Sequence, residues 1–473
     1  MHSIGEPLEQ HSRDAFLPFL RLPWIAMANC ERSSLVTFAA ASALALVSLL
    51  SPSLRAQDNV FTGTNTGVER IRIAAADFRA GSGDAGSLKQ TFDSVLFSDL
   101  QNAGVFDMVS KSMQPQAQPA SPKEVQLNQW SAEPVNAAYV AFGTIASEGG
   151  RVVVNAWVDD THNTQYPQVI GKQYTEPAGD AGARTIAHKF ADEIILRLGG
   201  GIPGIAESKI YYVRAAGGSK EIWAMDYDGA NPHALTHLDT VSISPRVSPD
   251  NSRVAFSSLG RDGFQIRMFS LLLNRTISFP SGSGTNLSPA WSSNGQLAYS
   301  SSRTGDPEIY VTDANGNGAR RITNSRGPDV SPTWNPKTGS QLAFISGRTG
   351  LPQVYIMDSD GTNLQRMTDG GYATSVSWSP NGQFLAFAWN RKYGPGAPGG
   401  QDVYVMEIAS KRWIQLTNGI GRCDFPSWSP DGRHIVFAVG SGARAEVWSM
   451  LADGTGKHRL AGTGSDMPNW SFR

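Results

Sequence analysis

The sequence is poor in cysteine, in charge and in long apolar runs, and each shortage excludes a class of protein. Two cysteines in 473 residues cannot supply a disulfide framework. Cys30 precedes the apolar segment described next, so a processed chain keeps Cys423 alone. A single thiol reads as a small buried apolar group. Only 17% of the residues are charged, and they nearly cancel to a net charge of −1. No basic surplus draws the chain to nucleic acid, and there is no acidic block. The apolar stretch Leu35 to Leu50 is 16 residues long, short of the about 20 that a membrane span needs. Arg32 precedes it and Leu54-Arg55-Ala56 follows, the pattern of a secretory signal cut after Ala56, with an uncleaved anchor as the alternative. The residues before Met27 do not fit such a signal and read as an extension, so 1–56 is assigned as a signal peptide with an N-terminal extension. No G-x-S-x-G occurs, so the nucleophile of an α/β-hydrolase is missing.

Glycine (49) and proline (27) are plentiful instead, as suits many short strands and tight turns. One motif recurs. It reads Val247-Ser-Pro-Asp-Asn251, Trp291-Ser-Ser-Asn-Gly295, Trp334-Asn-Pro-Lys-Thr338, Trp378-Ser-Pro-Asn-Gly382 and Trp428-Ser-Pro-Asp-Gly432, and a fragment, Trp470-Ser-Phe-Arg473, ends the chain. The steps are 44, 43, 44, 50 and 42 residues. A period of that length built from short strands means stacked β units. Each unit parses as four strands, A to D, with Asn/Asp-Gly turns between them. The first unit starts at strand B, Ile210 to Val213, and lacks an A strand. The missing strand is found at the other terminus, Met467 to Phe472. A ring accounts for this split, because the last strand completes the first unit and removes two exposed edges. The reading is a six-bladed β-propeller over 204–473. The 50-residue step holds an insertion, Tyr393 to Gly400, between strands B and C of the fifth blade. The tryptophans are expected to pack between blades, with Val247 as a smaller filler that weakens its contact.

Ahead of the repeats, 57–203 reads as a small α+β domain. Ile71, Ile73 and Ala75 alternate as in a half-buried strand. Leu88, Phe92, Val95, Leu96 and Leu100 share a helical face, and Gly104 stops that helix. Val140 to Ile145 and Val152 to Val158 flank the turn Glu148-Gly-Gly150. Ile186, Phe190, Ala191, Ile194, Ile195 and Leu198 mark a second amphipathic helix, and Gln114 to Glu124 reads as a loop. The overall class is therefore mainly β, a six-bladed propeller preceded by a small α+β domain. Gly199-Gly-Gly-Ile-Pro-Gly204 fits G-x-G-x-x-G but follows a helix and precedes a strand, the reverse of a phosphate loop. It reads as a flexible hinge.

Other motifs have structural readings. Asp226-Tyr-Asp-Gly-Ala-Asn231 and Asp358-Ser-Asp-Gly-Thr-Asn363 start like calcium loops. Their twelfth positions hold His237 and Asp369 where a bidentate Glu is needed, so both read as C–D hairpin turns. Arg261, Arg303 and Arg348 recur in B–C loops, where they form either an anion-binding ring or bonds to nearby carbonyls and acids. His188 reads as packed in its helix. The pairs Asp159-Asp160 and Asp192-Glu193 read as solvated. No catalytic residue, metal ligand or cofactor is assigned.

Phe97-Ser-Asp-Leu-Gln-Asn-Ala-Gly-Val-Phe106, Ala187-His-Lys-Phe-Ala-Asp192 and the strand entering the repeats at Tyr211-Tyr-Val213 resemble the corresponding segments of the TolB family of Tol–Pal system proteins. With the W-S-P-D-G repeats and the signal segment, the resemblance covers nearly all of the processed chain. It implies a periplasmic, non-catalytic member of the Tol–Pal envelope complex, supporting outer-membrane integrity and cell division. Such a protein binds the peptidoglycan-associated lipoprotein Pal through loops before strand A at one mouth of the propeller. The matching positions are Thr285, Asn286 and Ser288, then Asp329, Val330 and Ser331. Repeat symmetry adds Thr374, Ser375, Cys423 and Asp424. The family's mature N-terminal segment also engages TolA; here Gln57 to Thr66 lacks the family's apolar alternation. The alternatives are a propeller enzyme of lyase or lactonase type, which needs a cluster of His, acid and metal ligands at the tunnel, and a secreted binding propeller with an unrelated partner.

Overall fold

The computed structural model describes residues 70–82, 85–390 and 400–472. The segment expected to be a signal peptide, the 57–66 stretch and 393–399 of the blade-five insertion lie outside the described residues.

Six strands form the first sheet: β1 (Ile71–Ala75), β2 (Arg79–Ala80), β3 (Phe106–Met108), β4 (Tyr139–Glu148), β5 (Arg151–Asp160) and β6 (Gln168–Pro177). Their order is β3-β1-β4-β5-β6, with β2 beside β4. β1 runs parallel to both neighbours, while β4, β5 and β6 are antiparallel. Gly149 and Gly150, at φ 57° and 76°, give the β4–β5 hairpin the paired positive φ that a two-residue turn requires. Two helices, α1 (Gly86–Asn102) and α3 (Asp180–Leu198), cover one face. They bury Leu88, Phe92, Leu96, Leu100, Ile186, Phe190 and Ile194 against Ile73, Ile145 and Val154, which are the helical faces read from the sequence. The other face is covered too. Trp130, in the one-turn helix α2 (Leu127–Ser131), packs with Val109, Val135 and Ala137 onto Ala74, Val140 and Phe142. The expected half-buried strand is therefore covered on both sides, and Ala74 is as buried as Ile73.

From Lys209 onward, six four-stranded antiparallel sheets follow. Blade 1 combines Ser465–Trp470 with Lys209–Ala216, Ser219–Asp226 and His233–Ala234. Trp470 pairs with Ile210 and Ser465 with Arg214, so the last strand closes the ring. It starts two residues before the expected position, five residues ahead of its anchor, as in blades 2, 3, 4 and 6. The A strands of blades 2 to 6 are Ser242–Val247, Asn286–Trp291, Asp329–Trp334, Tyr372–Trp378 and Cys423–Trp428. The outer D strands are two to four residues long, which leaves little edge for another chain to pair with.

The repeat motif explains itself in place. The core of the ring is divided among six seams between neighbouring blades, and each anchor residue fills one. The five tryptophans are 3–7% exposed. At ~200 Å² each, burial stabilises by up to ~5 kcal/mol per indole. The indole N–H of Trp291 donates to the carbonyl of Arg246, and that of Trp334 to the carbonyl of Ala290, fastening each blade to the one before. Val247 has no such donor. There the seam is fastened from the opposite side, by Asn469 Oδ1 accepting the Val247 amide at 3.1 Å. In the turn of blade 6, Asp431 accepts the Arg433 amide, Ser429 Oγ accepts the His434 amide, and Gly432 sits at φ 70°.

Candidate partner-binding mouth

The two faces of the ring differ. The turns joining strands A to B and C to D lie on the face that carries the small domain. Arg433 and His434 of blade 6 donate to the carbonyls of Gly199 and Asn102, and an added Cβ at Gly104 would meet Leu451 at 2.9 Å. In blade 1, Tyr227 donates to Asp99 Oδ1 at 2.6 Å and Arg184 to Asp228 at 2.8 Å. Asp99 also accepts His188 Nδ1–H at 2.7 Å. Burial raises Asp99, against the lowering effect of His188 and Tyr227. His188 is pulled down by burial, but Asp99 outweighs that and leaves it above its ordinary value. His188 is thus packed, as expected, and it belongs to the interface between the domains. The glycine-rich linker is fastened rather than free. Asp192 accepts the amides of Ala206 and Glu207, and Gly204 lies so close that a Cβ would collide with that carboxylate. Burial pushes Asp192 up to about 6. Asp192 is therefore not a solvated residue, and neither is Asp159, which is fully buried and likewise raised to about 6 by burial.

The A strands start on the opposite face, beside the ends of the B strands, as the pairings Asn286–Ser301 and Asp329–Ser346 require. This is the mouth to which the partner residues were assigned. All of them except Thr285 are in strand A itself rather than in a loop before it. The strand carries a bulge. Ser244, Ser288, Ser331, Phe425 and Met467 have φ near +50°, and the pairing slips a residue at each. A bulge turns successive side chains off the simple alternation.

Burial then separates the assigned residues into two groups. Asn286 and Asp329 are 0% exposed and Asp424 is 3% exposed. Asn286 Nδ2 donates to Gln265 Oε1 at 2.9 Å and to loop carbonyls of 282 to 284. Asp329 accepts Arg348 at 2.7 Å and Ser325 at 3.1 Å. Asp424 gathers Thr374 Oγ1 at 2.8 Å, Ser375 Oγ at 2.7 Å and Arg422 at 3.3 Å, so Thr374, Ser375 and Asp424 meet across the seam of blades 5 and 6. These groups brace the rim. Cys423 does not face the mouth at all. It lies in the same seam with Trp428 and Phe437, and burial pushes its thiol up to about 11. Thr285, Ser288, Val330, Ser331 and Thr374 are half-exposed.

Of the three recurrent arginines, Arg303 donates to the carbonyl of Ser281 and stacks 4.4 Å over Tyr310. Arg348 meets Asp329 and lies 5.0 Å over Tyr355. These two bond locally, and Arg261 is exposed on the rim. Half-exposed Ile243, Leu287, Phe425 and Met467 also occupy the A-strand starts, which gives the mouth an apolar component that the repeat motif did not reveal. The Asp-x-Asp-Gly segments close C–D hairpins, with Asn231 donating to Asp226 and Asn363 to Asp358, each at 2.6 Å. Among the described residues no helix is long and apolar enough to cross a membrane.

The chain matches two domain families. The TolB amino-terminal domain matches residues 64–166, and the TolB beta propeller domain matches 197–472. A protein named Tol-Pal system protein TolB from Gluconobacter oxydans is 33% identical over 419 residues, 86% of each chain. A Protein TolB homolog from Chlorobium luteolum is 32% identical over 272 residues, 57% of this chain. The match spans 60% of that relative's length. The crystal structure of TolB from Acinetobacter baumannii superposes with a TM-score of 0.71 at 24% identity, covering 85% of this chain and 97% of that one. That likeness supports the fold.

Proposed function

The chain belongs to the TolB family, and from that premise we propose that it is a periplasmic, non-catalytic Tol–Pal component that binds the lipoprotein Pal at the open mouth of its propeller. Outer-membrane integrity and cell division are the processes it serves. The observation that carries the reading is the braced rim. Buried Asn286, Asp329 and Asp424 hold the A-strand starts and adjoining loops in place, while Thr285, Ser288, Val330, Ser331 and Thr374 remain half-exposed. A rim fixed before encounter has less conformational entropy to lose when a partner domain covers it. The buried residues support the site, and the half-exposed ones touch the partner. Contact with TolA through the mature N-terminal segment is a separate proposal, resting on the family alone.

The test is calorimetry with purified Pal domain. Thr285→Arg combined with Ser331→Arg is expected to weaken binding by roughly tenfold or more, since desolvating two unpaired cations at an interface costs several kcal/mol. Melting of the variant stays near wild type because both side chains are half-exposed. Unchanged affinity removes this mouth as the Pal site.

A further inference from the structure

The tunnel has a second end, on the face that carries the small domain, and its composition is unlike that of the partner mouth. Each blade places there the residue just before its anchor: Arg246, Ala290, Thr333, Ser377, Ser427 and Asn469. With the tryptophan anchors and the prolines of the A–B turns, this ring lines a cavity of about 330 Å³. No aspartate or glutamate is among the lining residues, and Arg246 is their one charge.

Other arginines of the chain meet acids. Arg184 meets Asp228 at 2.8 Å, Arg348 meets Asp329 at 2.7 Å and Arg321 meets Glu308 at 3.2 Å. The Arg246 guanidinium has instead the carbonyl of its neighbour Pro245, at 2.7 Å. Burial without a counter-charge pulls it down to about 10. Arg246 is half-buried, and a cation partly withdrawn from water gains from an anion that meets it. The backbone that carries it is fixed by the ring. Trp291 bonds the Arg246 carbonyl at 3.2 Å, and Asn469 bonds the next amide at 3.1 Å while donating to Ser427 Oγ at 3.2 Å. A side chain rooted on a fixed backbone has less freedom to lose when a ligand meets it.

We propose that this cavity binds a compact organic carboxylate, its carboxylate paired with Arg246 and its apolar body against the tryptophan and proline walls. The charge count selects a monoanion, because a dianion such as phosphate brings a second charge that no second cation meets. The planar fork of a guanidinium matches a carboxylate with two parallel bonds. The volume is at the low end for ligand pockets, so the body is small. The site stands independently of the Pal reading, since it uses the opposite end of the tunnel.

Benzoate is the probe, titrated into the full chain by calorimetry and ligand-observed NMR, with benzamide as its neutral counterpart. Benzoate is expected to bind saturably, and benzamide roughly tenfold or more weakly, the scale of one charge-assisted pair. Arg246→Gln is expected to lose benzoate by the same factor. Ser377→Phe keeps the arginine and narrows the cavity, so it also loses benzoate and serves if the Gln variant does not fold. Inorganic phosphate is not expected to compete at equal concentration. The proposal is overturned if benzoate shows no saturable binding, if benzamide binds as tightly, if phosphate displaces benzoate, or if folded Arg246→Gln binds benzoate like wild type.

Discussion

Trp470→Ala tests the closure of the ring at its most loaded side chain. Trp470 is 3% exposed and packs with Ile210, Tyr212, Val436 and Val447 in the seam of blades 6 and 1. Its indole N–H donates to Ser208 Oγ at 2.7 Å, and its amide to Ser427 Oγ at 3.1 Å. Removing a buried tryptophan costs ~3–5 kcal/mol, and losing the indole bond adds ~1 kcal/mol. For a unit of this size each kcal/mol shifts melting by roughly 2–4 °C, so the propeller transition should fall by roughly 8–24 °C. Trp378→Ala is the control. Trp378 is equally buried, at 5% exposed, but its indole nitrogen has no hydrogen-bond partner, so its loss should cost ~1 kcal/mol less. Scanning calorimetry and urea unfolding followed by near-ultraviolet circular dichroism measure both. A Trp470→Ala protein that melts with the wild type refutes the closure argument. One that melts above Trp378→Ala refutes the assignment of energy to the Ser208 bond.

Three further outcomes are expected. Asp329→Ala leaves Arg348 without its acid, and should cost ~3 kcal/mol in urea unfolding; a loss of the proposed Pal binding by that variant is then a stability effect, separable by comparing melting with affinity. Tyr227→Phe removes a donor from buried Asp99 and should cost ~1–3 kcal/mol, read out as faster proteolysis between the small domain and the propeller. Asp159 has a folded-state pKa of about 6, above the ordinary 3.8. The folded chain therefore binds the extra proton between these values, and stability from this group falls as pH rises from about 4 to 6 and is gone above. Asp159→Asn should raise the melting temperature at pH 7.5 and leave it nearly unchanged at pH 4, as thermal scans across that range will show.

The propeller was legible because its signal is periodic and its ends are complementary. Six copies of one anchor and a displaced A strand leave few topologies open. The helices α1 and α3 were legible from their apolar faces, and the β4–β5 hairpin from Gly149 and Gly150. The strand β6 was not, because of its ten residues only Ile170 and Tyr174 are buried, too sparse for an alternation to appear. The rim was misread for a sharper reason. Asn286, Asp329 and Asp424 are polar and were assigned to partner-facing loops, but the bulge one or two residues later turns them under the rim, where they are buried. The Asp99–His188–Tyr227 contact joins residues 89 and 128 positions apart, a pairing that no local pattern in a single sequence contains.

The A strands impose one constraint on how the two ends of the ring could influence each other. Each begins at the open mouth and ends at the face of the small domain, about six residues later, a distance of roughly 20 Å. A partner seated on Thr285 and Ser331 therefore touches neither the Asp99–His188–Tyr227 interface nor Arg246. Any influence between them must pass along strands whose two ends are both fixed, by Asp329–Arg348 and Asp424–Ser375 at the mouth and by Trp291–Arg246 and Asn469–Val247 at the anchors. Such strands transmit a signal only by changing between two bonded arrangements, and a ligand shifts that balance only by its difference in affinity for the two. The bulges at Ser244, Ser288, Ser331, Phe425 and Met467 are the positions where register can change at least cost, because the ladder is already interrupted there. They lie at the mouth end of the strands, three residues from each anchor, so a partner at the mouth acts on the yielding part of the strand while the anchor seams stay in place.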